Sequence, residues 1–140
     1  MTVNSTLETA RERIRASGER LTTPRVRVLG ALLEAGAARS HQDIEKALGA
    51  TRMDRVTLYR VLEWLVSTGL AHRIAGSDRV WRFSIAGETH PSHAHFQCSR
   101  CGKVLCLDEP SARRIALPMP RGCRPERVEL TVTGLCADCP

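Results

Sequence analysis

Four cysteines form two Cys-x2-Cys pairs separated by 34 residues. The first pair is Cys98 and Cys101, and the second is Cys136 and Cys139. Two cysteines at this spacing lie on one tight turn and can point at one ion, so two such turns supply the four thiolates of a tetrahedral zinc site. The alternatives are four separate thiols or two disulfides, and disulfides are disfavoured because nothing in the sequence suggests export. The spacing therefore predicts a structural zinc, one per subunit.

A second group of metal donors surrounds the first cysteine pair in sequence. His93 and His95 alternate as residues on a strand do, so both side chains are expected on one face. A histidine is often only a packed or solvated residue, but a His-x-His that leads into a metal-binding turn favours a ligand pair. Cys106 follows five residues after Cys101 and is close enough in sequence to share an ion with the histidines. Cys123 lies in a turn-like stretch and is either packed or unused.

The charge balance suggests an acidic partner. Lysine and arginine number 21 against 15 acidic residues among 140, which gives a net charge of +6. Nucleic acid is the first candidate, with a merely basic surface as the alternative. No apolar run approaches the ~20 residues of a membrane span, and the N-terminal sequence lacks the apolar core of a signal peptide. We therefore expect a cytoplasmic protein without a membrane partner.

Three short helices are predicted before residue 50. An opening helix covers residues 4–18, and a second begins with Thr23 as its hydroxyl cap and ends near Gly36. Ser40 caps a third helix, with Asp43 three residues later as in a capping box. These helices would build the support for the segment that follows.

A fourth helix carries residues suited to contact DNA. It follows Asp54, and its apolar stripe repeats at helical spacing through Leu58, Val61, Leu62 and Leu65. Arg55, Thr57, Tyr59 and Arg60 lie largely off this stripe near the N-terminal end, where a recognition helix places its base-reading residues. Arginine reads guanine or clamps phosphate, while tyrosine and threonine bond phosphate and touch thymine methyl groups.

Strand-like patterns complete the prediction of fold class, which is α+β. Residues 70–75 and 79–84 read as a β-hairpin, so the N-terminal half is predicted to be a winged helix-turn-helix, with a helical bundle as the alternative. Residues 87–90 resemble a hinge, 110–117 a short helix, and 126–134 an alternating strand that leads to Cys136. The predicted domains are a winged-helix DNA-binding domain, a hinge, and a small α/β dimerisation and metal-binding domain. Their bounds are 1–85, 86–92 and 93–140.

Five segments together resemble the ferric uptake regulator family, and the resemblance covers roughly Leu21 to Cys139. They are residues 20–25 (RLTTPR), 56–62 (VTLYRVL), 69–70 (GL), 93–104 (HAHFQCSRCGKV) and 134–139 (GLCADC). The resemblance implies a homodimer that binds a palindromic double-stranded operator, a structural zinc on the four paired cysteines and a second, sensory divalent metal near the hinge. It implies no small-molecule substrate.

The resemblance also assigns individual residues. Tyr59 and Arg60 match the recognition-helix pair that meets DNA, and Arg25 matches a basic residue near the start of an earlier helix. His72 lies where the zinc uptake regulators, a subgroup of the family, have a histidine ligand, and Cys106 lies where a carboxylate ligand is usual. The proposed sensory set has four members, with a fifth residue, His90, as a substitute. The four are His72, His93, His95 and Cys106.

Departures from the family pattern favour zinc as the sensed metal. The strand carboxylate of iron sensors aligns with Trp81 or Arg82, and their early histidine aligns near Ala38, from which His41 is shifted. A further metal site seen in some members is expected to be absent here. Imidazole and thiolate donors without carboxylates favour tetrahedral zinc. The sequence thus predicts a zinc-responsive repressor of metal-uptake genes, with an iron, manganese or peroxide sensor of the same family as the alternative.

Two other functions remain as alternatives. A zinc hydrolase or deaminase is disfavoured, because the deaminase pattern needs His-x-Glu before its cysteines and this chain has His-x-His. A redox switch would need Cys106 or Cys123 to be a reactive thiolate with a resolving partner.

Overall fold

The chain divides into two compact units, Met1–Gly87 and Glu88–Pro140. A computed structural model describes residues 3–35, 37–49, 53–76, 78–85, 94–107, 118–125 and 130–139. Within these ranges, no helix is both long and apolar enough to cross a membrane. The predicted hinge at 86–92 and the predicted helix at 110–117 lie outside the described residues.

The described residues of the first unit form four helices. They are α1 (Val3–Ala16), α2 (Thr23–Glu34), α3 (His41–Leu48) and α4 (Arg55–Ser67). The apolar stripes predicted from helical spacing form one core, which also takes in Phe83 from the sheet. Leu58, Val61, Leu62 and Leu65 of α4 are all buried, as predicted. Burial of one stripe from each helix is what stabilises short helices that would be marginal in isolation.

Helix ends follow the predicted capping chemistry with one correction. Ser40 and Asp43 form the reciprocal capping box of α3, and Asp54 caps α4. The cap of α2 is Thr22, whose side chain accepts a hydrogen bond from the Arg25 backbone N–H, so the prediction of Thr23 was wrong by one residue. The shift has a simple cause, since a cap oxygen bonds the N–H of the second or third helical residue.

A small antiparallel sheet follows the helices. The predicted hairpin consists of β2 (Ala71–Ala75) and β3 (Trp81–Ile85). A two-residue strand, β1 (Arg39–Ser40), pairs with the other edge of β3 and was not predicted. Because α3 begins where β1 ends, the order β1-β3-β2 places the start of α3 beside the β2–β3 hairpin.

In the second unit, the described residues form a mixed sheet of three strands in the order β5-β4-β6. These are β4 (Ala94–Cys98), β5 (Val104–Cys106) and β6 (Leu130–Gly134). β5 runs antiparallel to β4, whereas β6 runs parallel to it. Because parallel neighbours end at the same edge of a sheet, β4 and β6 deliver the two cysteine pairs to one place.

Candidate metal centre and nucleic-acid interface

The two Cys-x2-Cys turns are held together by the sheet. Cys98 is the last residue of β4 and is in register with Gly134, the last residue of β6. Just beyond them, the Ser99 N–H and hydroxyl both donate to the Gly134 carbonyl, at 2.8 and 3.2 Å. Gly102 closes the first turn with φ of 76°, a left-handed conformation that side chains rarely tolerate, and donates to the Cys98 carbonyl. In the second turn the Cys139 N–H donates to the Cys136 carbonyl, so a backbone hydrogen bond shapes each turn.

Four thiol groups converge at this edge. The Sγ atoms of Cys98, Cys101, Cys136 and Cys139 all lie within 4.8 Å of one another. The Sγ atoms of Cys101 and Cys136 are 3.7 Å apart. A tetrahedral zinc with Zn–S bonds of about 2.3 Å requires sulfur–sulfur separations of about 3.8 Å. The four cysteines thus fit a tetrahedral divalent metal, and they would hold it as a structural site.

The pKa values of two cysteines in the cluster also favour a bound cation. Backbone N–H groups of Cys101 and then Cys136 lower the pKa of Cys98 to about 6, and the Cys136 N–H lies 3.4 Å from the Cys98 Sγ. Hydrogen bonds with the thiols of Cys136 and Cys101 raise the pKa of Cys139 to about 12. The first thiolate therefore forms readily, whereas the last keeps its proton. A bound cation stabilises all four as thiolates, because a metal deprotonates the thiols that coordinate it.

A second pair of metal donors lies further along the same sheet. His95 of β4 and Cys106 of β5 are cross-strand partners, and a ring nitrogen of His95 lies within 4.8 Å of the Cys106 Sγ. Both residues are half-buried. One imidazole nitrogen and one thiolate can bind the same ion, so the strand pairing brings two of the predicted sensory ligands together.

The remaining predicted sensory ligands are His72, His90 and His93. His72 belongs to the first unit, where it occupies β2 opposite Ser84 of β3. His90 and His93 lie outside the described residues. Cys123 is exposed in the second unit.

The N-terminal end of α4 presents a mixed apolar and basic surface. Val56 is 56% exposed and Tyr59 49% exposed, and Arg60 is exposed beside them. At 100° per residue these three positions lie together, opposite the buried stripe of the helix. We call Val56, Tyr59 and Arg60 the recognition face. Such a surface offers a guanidinium for guanine or phosphate and apolar groups for thymine methyls.

Two of the predicted DNA-contacting residues of α4 have structural partners. The Thr57 hydroxyl donates to the Asp54 carboxylate, which also accepts the Thr57 N–H, and these bonds lower the pKa of Asp54. Arg55 forms an exposed ion pair with Glu45 of α3, with nitrogen and oxygen 3.3 Å apart. Thr57 therefore serves the helix cap, whereas an exposed pair of the Arg55 type is weak and easily exchanged for phosphate.

Arg25 is held against α4. Its guanidinium carbon lies 3.8 Å from the centroid of the Trp64 ring, and its Nη1 donates to the Arg20 carbonyl at 2.6 Å. This stack orients the charge next to the helix that carries the recognition face. A cation over an indole contributes about 0.5–1 kcal/mol when partly exposed.

Two residues were missed when the sequence was analysed for function. Val56 belongs to the VTLYRVL segment, and the helical period already places it opposite the stripe of Leu58 and Leu62. His41 was considered only as a misplaced ligand, but the structure packs its ring against Tyr59, with the ring centroids 3.9 Å apart. No local sequence pattern predicts that contact, because it depends on how α3 crosses α4.

Comparison with known proteins shows which family the chain resembles over most of its length. The chain matches the ferric uptake regulator family over residues 16–133. The transcriptional regulator FurA of Mycobacterium tuberculosis is 32% identical over 135 residues, which cover 91% of this chain and 88% of that protein. The peroxide operon regulator of Bacillus subtilis is 26% identical over 137 residues, covering 95% and 92%.

Solved structures share the fold. The ferric uptake regulator of Helicobacter pylori superposes with a TM-score of 0.67 at 21% identity, covering 99% of this chain and 94% of that one. A zinc uptake regulator complexed with zinc and DNA gives 0.67 at 24% identity, covering 99% and 95%. The predicted fold class and family are confirmed. The chain belongs to the ferric uptake regulator family, whose members are metal-responsive transcription regulators and not enzymes.

Proposed function

We propose that this protein is a zinc-responsive transcriptional repressor that binds a palindromic operator as a homodimer and controls metal-uptake genes. The observation that carries the choice of zinc is the pairing of His95 with Cys106 across neighbouring strands. A site with imidazole nitrogen and thiolate sulfur suits zinc, whereas carboxylate and water ligands suit manganese. The resemblance to the family places Cys106 where a carboxylate is usual, so the substitution changes the donor set in the direction of zinc.

The complete sensory set in this proposal is His72, His93, His95 and Cys106, with His90 as a substitute. His72 is carried by the DNA-binding unit and Cys106 by the second unit. Ligands drawn from both units would make metal affinity and DNA affinity depend on the same conformer. By reciprocity each ligand would then tighten the binding of the other, with a coupling of about 1–3 kcal/mol or roughly 5–150-fold.

The structural site in this proposal binds one zinc per subunit through Cys98, Cys101, Cys136 and Cys139. Support comes from the 3.7 Å separation between the Cys101 and Cys136 sulfurs, which matches the edge of a zinc–thiolate tetrahedron. The zinc supplies a charge that keeps four adjacent thiolates together. Backbone N–H groups of this chain provide further stabilisation of the Cys98 thiolate.

DNA contact is assigned to the recognition face and its basic neighbours. Tyr59 and Arg60 would meet bases or phosphates directly, and Arg55 and Arg25 would add charge beside them. Thr57 remains in the proposed set through its place on the first turn, although its hydroxyl bonds Asp54. The net charge of +6 supports an electrostatic contribution that weakens as salt increases.

The test combines metal content with DNA affinity. Protein that has been mildly chelated is mixed with zinc, iron(II) or manganese(II), and its affinity is measured for the duplex that the zinc-loaded protein selects from a random-sequence pool. One tight zinc should resist chelation, and a second, added zinc alone should restore binding. Cys106→Ser should abolish this response, whereas Cys123→Ser, a matched change at an exposed thiol, should not.

A second candidate is an iron- or peroxide-responsive regulator, which the name of the Bacillus subtilis relative favours. In that case iron(II) would restore DNA binding at a lower free concentration than zinc. The Arg60→Ala variant tests the DNA assignment separately, because it should lose specific binding while keeping its zinc. Normal operator binding by Arg60→Ala would overturn the assignment of the recognition helix.

A further inference from the structure

The imidazole of His41 lies directly behind the recognition face. His41 is the first residue of α3, and its ring centroid is 3.9 Å from that of Tyr59 at an interplanar angle of 39°. On another side it meets Phe83 of β3 edge-on, with the centroids 5.2 Å apart and the rings at 82°. Aromatic pairs at these separations are attractive and orient one another. The three rings therefore form a stack that runs from the core of the first unit to its DNA-facing surface.

The backbone beneath His41 is fixed independently of the ring stack. Ser40 accepts the Asp43 N–H and donates its own N–H to the Asp43 carboxylate, which sets the direction in which α3 begins. Ser40 is also paired with Arg82 in the β1–β3 ladder. His41 thus starts from a rigid corner between a helix and a strand, so its ring is held where Tyr59 packs.

The imidazole itself is set up to remain neutral. Its Nε2 is buried and has no hydrogen-bond partner among the described residues. Burial lowers the pKa of His41, and the charges of Glu45 on its own helix and Glu63 on α4 oppose that shift. β3 contributes the uncharged ring of Phe83 to this environment. A neutral ring can serve as a packing surface at physiological pH without the cost of a buried charge.

We propose that His41 is a positioning residue for DNA binding, whose imidazole holds the Tyr59 ring in the orientation that contacts DNA. The inference rests on the proposed role of Tyr59 at the operator. A half-exposed tyrosine on a helix surface can rotate about its side-chain bonds, and fixing it on binding costs about 0.5–1.5 kcal/mol. Packing against His41 removes that cost before the DNA arrives. Loss of the ring should therefore weaken specific binding by roughly 2–13-fold.

A spectroscopic test is available because Tyr59 is the single tyrosine in the chain. Replacing it biosynthetically with 3-fluorotyrosine gives one ¹⁹F signal that reports only this ring. In the wild-type zinc-loaded protein the signal should be displaced from that of free fluorotyrosine and should titrate with a midpoint below 6.5, following His41. His41→Ala should remove both the displacement and the titration. His41→Phe should keep a displaced signal that no longer titrates.

DNA affinity provides the functional half of the test. The probe is the duplex selected by the wild-type protein, with a scrambled duplex as the non-specific reference. His41→Ala should bind the selected duplex roughly 2–13-fold more weakly, and His41→Phe should restore most of that loss. Binding to the scrambled duplex and zinc content should not change. Gln42→Ala, an exposed neighbour on the same helix, is the matched control.

Several results would overturn the inference. If His41→Ala binds the selected duplex as tightly as wild type, or if its ¹⁹F signal matches that of wild type, His41 does not position Tyr59. If the wild-type protein selects no duplex, the proposed function fails and the role of His41 in DNA binding fails with it, while the ¹⁹F spectra still report the ring contact. Should His41→Ala not fold, comparison of His41→Phe with His41→Gln decides the matter, because only the former keeps an aromatic ring.

Discussion

Removal of the metal from the four-cysteine cluster should unfold the second unit and leave the first unit folded. The perturbation is Cys101→Ser combined with a chelator, which removes one of four ligands and then the ion. Cys101 is exposed and packs little against the sheet, so the substitution acts on the cluster rather than on a core. The part expected to unfold is the sheet that β4 and β6 form immediately before the two cysteine turns.

The magnitude follows from how little apolar surface the described part of this unit buries. Its buried hydrophobic residues there are Ala94, Cys98 and Val104, against fourteen residues in the core of the first unit. Burial of Val104 contributes about 1.5–3 kcal/mol and burial of the smaller Ala94 and Cys98 contributes less, so the three together contribute at most about 5 kcal/mol. A structural zinc site contributes about 10–16 kcal/mol. Relative to the apolar burial of the described residues, a bound structural metal would therefore be the larger source of stability for the three-stranded sheet.

Hydrogen exchange measured by mass spectrometry provides the assay. In the metal-free Cys101→Ser protein, peptides from 94–107 and 130–139 should lose protection, while peptides from 55–76 should exchange as in the zinc-loaded protein. Cys123→Ser, which alters an exposed thiol outside the cluster, should leave every peptide unchanged. Persistent protection of the β4 and β6 peptides without metal would refute the reasoning, because the strand ladder would then be stable by itself.

Three further predictions concern the first unit. Asp78→Asn should reduce the free energy of unfolding by about 1–3 kcal/mol, because Asp78 pairs with the buried Arg82 at 2.7 Å. That pairing lowers the Asp78 pKa to about 2. The stabilising effect of the pair is therefore present above the ordinary carboxyl pKa and is lost as the pH falls through about 2. Val56→Ala should reduce discrimination between thymine and uracil in the selected duplex by about 2–4-fold, since a methyl contact is worth up to about 0.8 kcal/mol. Gly30→Val should lower the thermal midpoint, because a Cβ at this position would lie 3.0 Å from the Leu7 Cδ2 and overpacking costs about 1–3 kcal/mol.

Each of these has a matched control. Glu8→Gln is the control for Asp78→Asn, and both variants are compared by urea titration. It removes the exposed ion pairs of α1 and should change the free energy of unfolding by less than about 1 kcal/mol. Val132→Ala removes an exposed valine from β6 and should leave thymine discrimination intact in competition binding. Gly30→Ala adds only the Cβ and should be close to neutral by calorimetry, because the gain in helix propensity offsets a single close contact with the flexible end of Leu7, whereas Gly30→Val adds two further methyl groups. If one of these three variants and its control changed the measured quantity equally, the contact proposed for that variant would be contradicted.

The helices of this protein were predictable because their determinants are local. The buried stripe of α4 repeats at helical spacing, and the caps Ser40 and Asp54 bond backbone groups three residues away. Such signals lie within a few residues of one another, so the sequence contains them in full. The β1 strand was missed for the opposite reason, since its two residues gain their pairing only when β3 lies beside them.

The convergence of the four cysteines was predictable from the sequence, whereas the contacts that support the two candidate sites were not. Cys-x2-Cys spacing predicts a thiolate cluster by itself, and the parallel β4–β6 pairing that closes it was anticipated only as a strand returning to the first turn. The Arg25–Trp64 and His41–Tyr59 contacts join residues that are far apart in sequence, through helix crossings that no local pattern specifies. Supporting contacts of this kind depend on tertiary packing.

The strand β4 links the two proposed metal-binding groups of the second unit. Cys98 lies at its end in register with Gly134, and His95 lies three residues earlier in register with Cys106. Three residues span about 10 Å and place the two side chains on opposite faces of the strand, so the groups do not compete for ligands. The His95–Cys106 pair nevertheless exists only while the sheet is formed, and we infer that the thiolate cluster stabilises that sheet. Loss of Cys101 should therefore abolish metal sensing, whereas loss of Cys106 should leave the structural metal in place.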